Sequence, residues 1–141
     1  MIKAHLLHPI FNHLTIGLFL VLIIAEVRLF FKTQKNKNEL LSLLWIIYCP
    51  AVLLSISFGL LSKEILFKTD VHEAVNFHEN LGLIFLILSG ICGYLKLKLI
   101  KNKNLTSPLF LTMMTVTFFV LIYLGSTGGE LVFSSGIGVK L

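Results

Sequence analysis

The sequence predicts an all-α integral membrane protein: a four-transmembrane-helix bundle built from two tandem two-helix repeats, with a short extended C-terminal tail. Three observations carry this. The chain of 141 residues is 56% hydrophobic and only 13% charged, with a mean hydropathy of +0.91, and a water-soluble domain of this size needs far more polar surface. Four continuous apolar stretches, residues 9–31, 40–62, 77–95 and 108–126, are each about the 20 residues that a helix needs to cross a bilayer. The residues that open the first and third stretches also look like copies of one another.

The elements follow in chain order and form one domain, residues 1–141. The first apolar run follows Lys3 and has no small-residue cleavage site before Lys32, so it reads as a retained span and not a signal peptide. Residues 33–39 are Asn/Lys-rich and form a turn between antiparallel helices. After the second span, residues 63–76 make a longer loop, in which Asp70 is a candidate cap for a helical lead-in to span three. Residues 102–107 turn the chain again, with Ser107 as N-cap and Pro108 as first residue of span four. The Gly/Ser-rich tail reads as extended or turn-forming over 130–139, with a turn at Ser134-Ser135-Gly136. None of the runs alternates with period two, which excludes a membrane barrel.

Charge sets the expected orientation. Lys32, Lys35 and Lys37 lie between spans one and two, and Lys96, Lys98, Lys101 and Lys103 between spans three and four. The other side mixes Glu64, Asp70, Glu73, Glu79 and Glu130 with Lys3, Lys63, Lys68 and Lys140. The positive-inside rule places the two lysine loops in the cytoplasm and both termini outside. The net charge of +5 is thereby spent on orientation and lipid headgroups, and nucleic acid is not an expected partner. Glu26 and Arg28, near the inner end of span one, read as interfacial or snorkelling side chains and not as a proton path. Cys49 and Cys92 fall inside spans and read as small apolar packing residues.

The chemistry lies in the histidines. His13, Gly17 and Leu18 match His78, Gly82 and Leu83 at a constant offset of 65. His8 and His72 precede the two copies, with Asn12 and Asn76 between. Gly59 and Gly125 extend the match more weakly to the second helix of each half. Two such halves share orientation and are related by an axis along the membrane normal. In a helix, positions i and i+4 lie on one face, so Gly17 and Gly82 clear space beside His13 and His78. A haem b held by His13 and His78 near the outer face is the leading expectation. A copper or zinc ion held by His8, His13, His72 and His78 is the first alternative. The second is a non-catalytic scaffold or accessory subunit, because a lone interfacial histidine is ordinarily just solvated. His5 has no counterpart and keeps that reading. HExxH, nucleophile-elbow, phosphate-loop and dinucleotide patterns are absent, and the residues do not decide whether the protein is an enzyme. With every histidine on the outer side, a two-haem wire across the membrane is disfavoured.

His8-Pro9 followed by His13, the third-span His78, and the ending Gly128-Gly129-Glu130-Leu131-Val132-Phe133…Gly136-Ile137-Gly138-Val139 resemble a family of small bacterial four-span membrane proteins, catalogued as a transmembrane domain of unknown function. The resemblance covers nearly the whole chain. Where that family commonly has a proline soon after the second histidine, this chain has Leu14-Thr15. Relatives are sometimes joined to cytochrome c or Rieske-like domains. The resemblance therefore implies a multi-pass protein of the bacterial inner membrane, with electron transfer at its outer face. The candidate partners are the lipid bilayer, a periplasmic redox protein and a second copy of the chain in a homodimer.

Overall fold

Several polar side chains face inward in this protein and many large apolar ones face outward. The computed structural model describes residues 4–31, 39–66, 72–102, 104 and 106–136. They form four helices: α1 (Ala4–Phe31), α2 (Glu39–Leu66), α3 (His72–Lys101) and α4 (Pro108–Phe133). All four are long and apolar enough to cross a membrane. At about 1.5 Å per residue, each exceeds the roughly 30 Å hydrocarbon layer. Thr15, Glu26, Ser55, Ser89, Lys96 and Thr117 are buried, while Ile24, Ile46, Ile87 and Phe119 are exposed. That distribution is unfavourable in water and favourable in lipid, where helix exteriors contact acyl chains and polar groups must satisfy one another inside.

α1 packs chiefly on α2 and α3 on α4; α2 also packs on α3, and the α1–α4 side is the least close. α1 and α3 meet across the bundle through long side chains. The Phe19 and Phe85 rings lie edge to face at 6.1 Å. Tyr48 stacks on Phe19 at 5.5 Å, and Trp45 lies 5.9 Å from Phe110. These aromatics form the centre of the core.

The helices are longer than the hydropathy pattern alone indicates. α3 starts at His72, so the expected helical lead-in is continuous with the span, while its candidate cap Asp70 lies outside the described residues. At its other end α3 runs to Lys101. Lys96 and Lys98 are therefore helical and not part of a loop, because Leu-Lys repeats contain no helix breaker. Ser107 caps α4 as expected: its backbone is extended and its Oγ accepts from the Phe110 N–H at 3.2 Å. α4 continues through Gly128, Gly129 and Glu130 to Phe133, which corrects the extended reading of residues 130–133. Glycine is well tolerated in a bilayer helix where a neighbour packs against it. The expected turn then ends the helix: Ser134 N–H donates to Glu130 O, Gly136 N–H donates to Val132 O, and Gly136 has φ +65°, a conformation that suits glycine. The remaining tail, residues 137–141, lies outside the described residues.

The buried faces show a regular spacing. Thr15, Phe19, Leu22 and Glu26 of α1 are followed 70 residues later by buried Phe85, Ser89, Cys92 and Lys96 of α3. Leu41, Trp45, Tyr48, Val52, Ser55 and Ser62 of α2 are followed 69 residues later by buried Phe110, Met114, Thr117, Leu121, Leu124 and Leu131 of α4. This register differs from the offset of 65 read from the histidines. His78 stands 70 residues after His8 and 65 after His13.

Candidate functional site

The histidine end is built from α1 against α2 and α3 against α4, in the same way twice. His8, half-buried in the first turns of α1, places its Nδ1 2.9 Å from the Ser55 carbonyl oxygen of α2. A carbonyl only accepts, so Nδ1 carries the proton and donates. The ring lies against Gly59, where a Cβ would come 2.9 Å from His8 Cε1 and 3.1 Å from Nδ1. Ser55 Oγ donates to Asn12 Oδ1 at 2.9 Å, tying the same two helices one turn deeper, and Phe11 stacks on Phe58 at 5.2 Å.

His78 repeats the arrangement on α3. Its Nδ1 lies 2.8 Å from Thr127 Oγ1 of α4. The Thr127 hydroxyl donates its own proton to Leu124 O at 3.0 Å, so its oxygen accepts from His78 Nδ1–H. A Cβ on Gly128 would come 3.0 Å from His78 Cε1. Each imidazole thus donates through Nδ1, and a helix glycine supports the ring of each.

The other expected site residues lie elsewhere. His13 is exposed, and its Nδ1 donates within its own helix to Pro9 O at 2.6 Å. Gly17, one turn below it, has nothing within 4 Å of where a Cβ would stand, whereas a Cβ on Gly82 would come 3.3 Å from Ile56 Cδ1. His72 is exposed at the start of α3. Among the described residues, no three His, Cys, Asp or Glu side chains lie together as a metal-binding group. The glycines that make room for imidazole are Gly59 and Gly128, on the opposing helices. Their spacing of 69 alongside the 70 between His8 and His78 is the sequence signal for this arrangement.

The opposite end of the bundle holds a second polar cluster. Lys96 Nζ lies 2.7 Å from Glu26 Oε1 and 2.9 Å from Oε2. Trp45 Nε1–H donates to Glu26 Oε1 at 2.9 Å, and Lys96 Nζ stands 5.6 Å from the centre of the Phe110 ring. Glu26 is 0% exposed and Lys96 4%. The snorkelling reading of Glu26 is therefore wrong. The carboxylate points into the bundle because a lysine on the diagonal helix and an indole N–H meet it there.

The chain from residue 4 to residue 141 matches the family described as "Predicted membrane protein (DUF2231)". It belongs to that family. No curated protein and no solved structure matches it. The four-span membrane architecture expected from the resemblance thus agrees with the family description and with the four candidate spans of this DUF2231 protein. What its histidine end offers chemically is two imidazoles, one from each helix pair, oriented through Nδ1 as metal-ligating histidines usually are through their other nitrogen.

Proposed function

We propose that the bundle binds haem b at its histidine end and carries electrons at that face of the membrane, with one axial ligand from each helix pair. His78 is the ligand from α3. Of the two α1 histidines that the sequence puts at the site, His8 is favoured over His13, because it is turned into the bundle and stands 70 residues before His78, the spacing of the buried faces. The observation that carries the reading is the matched pair of Nδ1–H donors, held by Ser55 O and Thr127 Oγ1, which orients each ring as metal-ligating histidines usually are through their other nitrogen. A porphyrin supplies four equatorial nitrogens and needs only two protein ligands. A bare copper or zinc ion draws on three or four, which the described residues do not bring together. The spacing of 70 and 69 supports two helix pairs related by a two-fold axis along the membrane normal.

Arg28, Lys98 and Lys101 lie near the end opposite the histidines, together with Lys32, Lys35, Lys37 and Lys103 in sequence. This supports a bacterial inner-membrane orientation with the lysine end in the cytoplasm, both termini outside and the site facing the periplasm. A periplasmic redox protein is the partner that such a site would serve. The test is the visible spectrum of protein purified from haem-replete cells. His8→Ala and His78→Ala should each abolish the low-spin signal, and His13→Ala and His72→Ala should retain it. Loss with His13→Ala and retention with His8→Ala would move the α1 ligand to His13.

A further inference from the structure

The buried polar groups of this bundle do not stop at its two ends. Three successive inward positions of α3, Ser89, Cys92 and Lys96, each meet a polar partner from a different helix. Ser89 Oγ lies 2.8 Å from Tyr48 Oη of α2. Cys92 Sγ lies 3.5 Å from Thr117 Oγ1 of α4, whose hydroxyl proton goes to Met113 O at 2.8 Å. Lys96 Nζ meets Glu26 of α1. Steps of three or four residues rise about 4.5–6 Å along a helix, a gap that one water spans. Towards the histidine end, the inward position of α3 is apolar Phe85, and there α1 supplies Thr15; one turn beyond it come Asn12 and Ser55.

Among the described residues, two buried side-chain oxygens have no hydrogen-bond partner, Thr15 Oγ1 and Thr106 Oγ1. A buried hydroxyl oxygen without a partner marks a place for water. Thr15 lies in the interval between the Tyr48–Ser89 and Asn12–Ser55 pairs. Thr106 lies one turn before Phe110, whose ring faces Lys96. The two orphans therefore fall where water is needed, one within the upper half of the series and one beside its lower mouth.

We propose that this series, Thr106, Glu26–Lys96, Thr117–Cys92, Ser89–Tyr48, Thr15 and Asn12–Ser55, is a water-bridged proton path through the bundle. The inference does not rest on the cofactor reading. A proton arriving at the lysine end is taken up by the Glu26 carboxylate. Lys96 passes a proton to the water between it and Thr117, and Glu26 returns one to Lys96. One proton leaves one side, one appears on the other, and every residue recovers its starting form, so a membrane potential or pH gradient is the only driver needed. The buried ion pair is the entry point. A pair of well-packed apolar side chains would join α1 and α3 at no desolvation cost, and ionisable groups inside a membrane ordinarily mark ion or proton routes.

The full-length protein in phosphatidylcholine vesicles, with a trapped pH-sensitive dye and a potassium–valinomycin potential, gives the test. Wild-type vesicles should acidify or alkalinise with the sign of the potential, faster than protein-free vesicles. Tyr48→Phe should slow the flux roughly tenfold, by removal of one hydrogen-bonded relay, with the protein still folded and only a small fall in its unfolding midpoint. Thr15→Val should act likewise, and Ser57→Ala, whose hydroxyl bonds only its own helix at Leu53 O, should have no effect. Glu26→Gln should abolish the flux, and if that variant fails to fold, the Tyr48 and Thr15 variants decide alone. Wild-type vesicles no leakier than empty ones, or flux indifferent to Tyr48→Phe and Thr15→Val, would overturn the path and leave Glu26–Lys96 as a structural clasp.

Discussion

Lys96 reaches across the diagonal of the bundle to grip both oxygens of Glu26, at 2.7 and 2.9 Å, with Trp45 holding the same carboxylate from α2. This contact joins two helices whose backbones do not approach closely, and it sits in a core otherwise filled by Trp45, Tyr48 and Phe110. Removing one charge leaves the other buried without its counter-ion. Glu26→Gln and Lys96→Met should therefore each destabilise the protein by about 3–5 kcal/mol, read as a loss of thermal or denaturant stability in detergent. The double variant Glu26→Gln/Lys96→Met should recover most of that loss. Additive losses in the double variant would mean that the two residues act independently.

Gly59 and Gly128 each carry an imidazole on a bare Cα, where a Cβ would come within 2.9 and 3.0 Å of the ring. Gly59→Ala and Gly128→Ala should push His8 and His78 off Ser55 O and Thr127 Oγ1, costing roughly 1–3 kcal/mol as overpacked sites do. Gly17→Ala should be neutral or slightly stabilising, because open space surrounds it and alanine is the better helix former. Unfolding midpoints of the three variants check the contrast.

Thr127 fixes the His78 tautomer by accepting from Nδ1. Thr127→Val removes that acceptor at nearly constant shape. Ligand retention at His78 should fall by roughly 10–100-fold, the usual effect of losing such a supporting hydrogen bond. A haem or metal titration of the purified variant measures it.

Orientation is open to direct labelling. A cysteine introduced at Asn102, exposed just beyond α3, should resist a membrane-impermeant maleimide in intact cells and react after lysis. One introduced at Ser134, exposed at the end of α4, should react in intact cells. The reverse pattern would place the histidine end in the cytoplasm.

The spans were legible because hydropathy depends only on composition within a window, and the Ser107–Pro108 helix start because capping is local. The histidine register was not. Apolar segments align with one another in several registers, and His13–Gly17 against His78–Gly82 is one that leaves Gly17 facing open space. The buried positions of α1 and α3 are spaced by 70 and those of α2 and α4 by 69, a spacing that polar and small residues at helix contacts share. Three pairs carry that signal in the sequence: His8 with His78 and Glu26 with Lys96, each 70 apart, and Gly59 with Gly128, 69 apart. Glu26 and Lys96 were misread for a related reason. A single charge near a span end normally snorkels, and only the diagonal partner reveals that it turns inward. The helical course of residues 130–133 was hidden by glycine, which reads as a turn former until a neighbouring imidazole is seen packing on Gly128.

The absorption spectrum of the detergent-purified wild-type protein, from cells supplied with haem precursor, tests the central claim most directly. Bis-imidazole haem b at the histidine end predicts a red protein, with a sharp low-spin Soret and α band on reduction and close to one haem per chain by pyridine haemochrome assay. A folded, colourless protein that binds no haem on titration would contradict it.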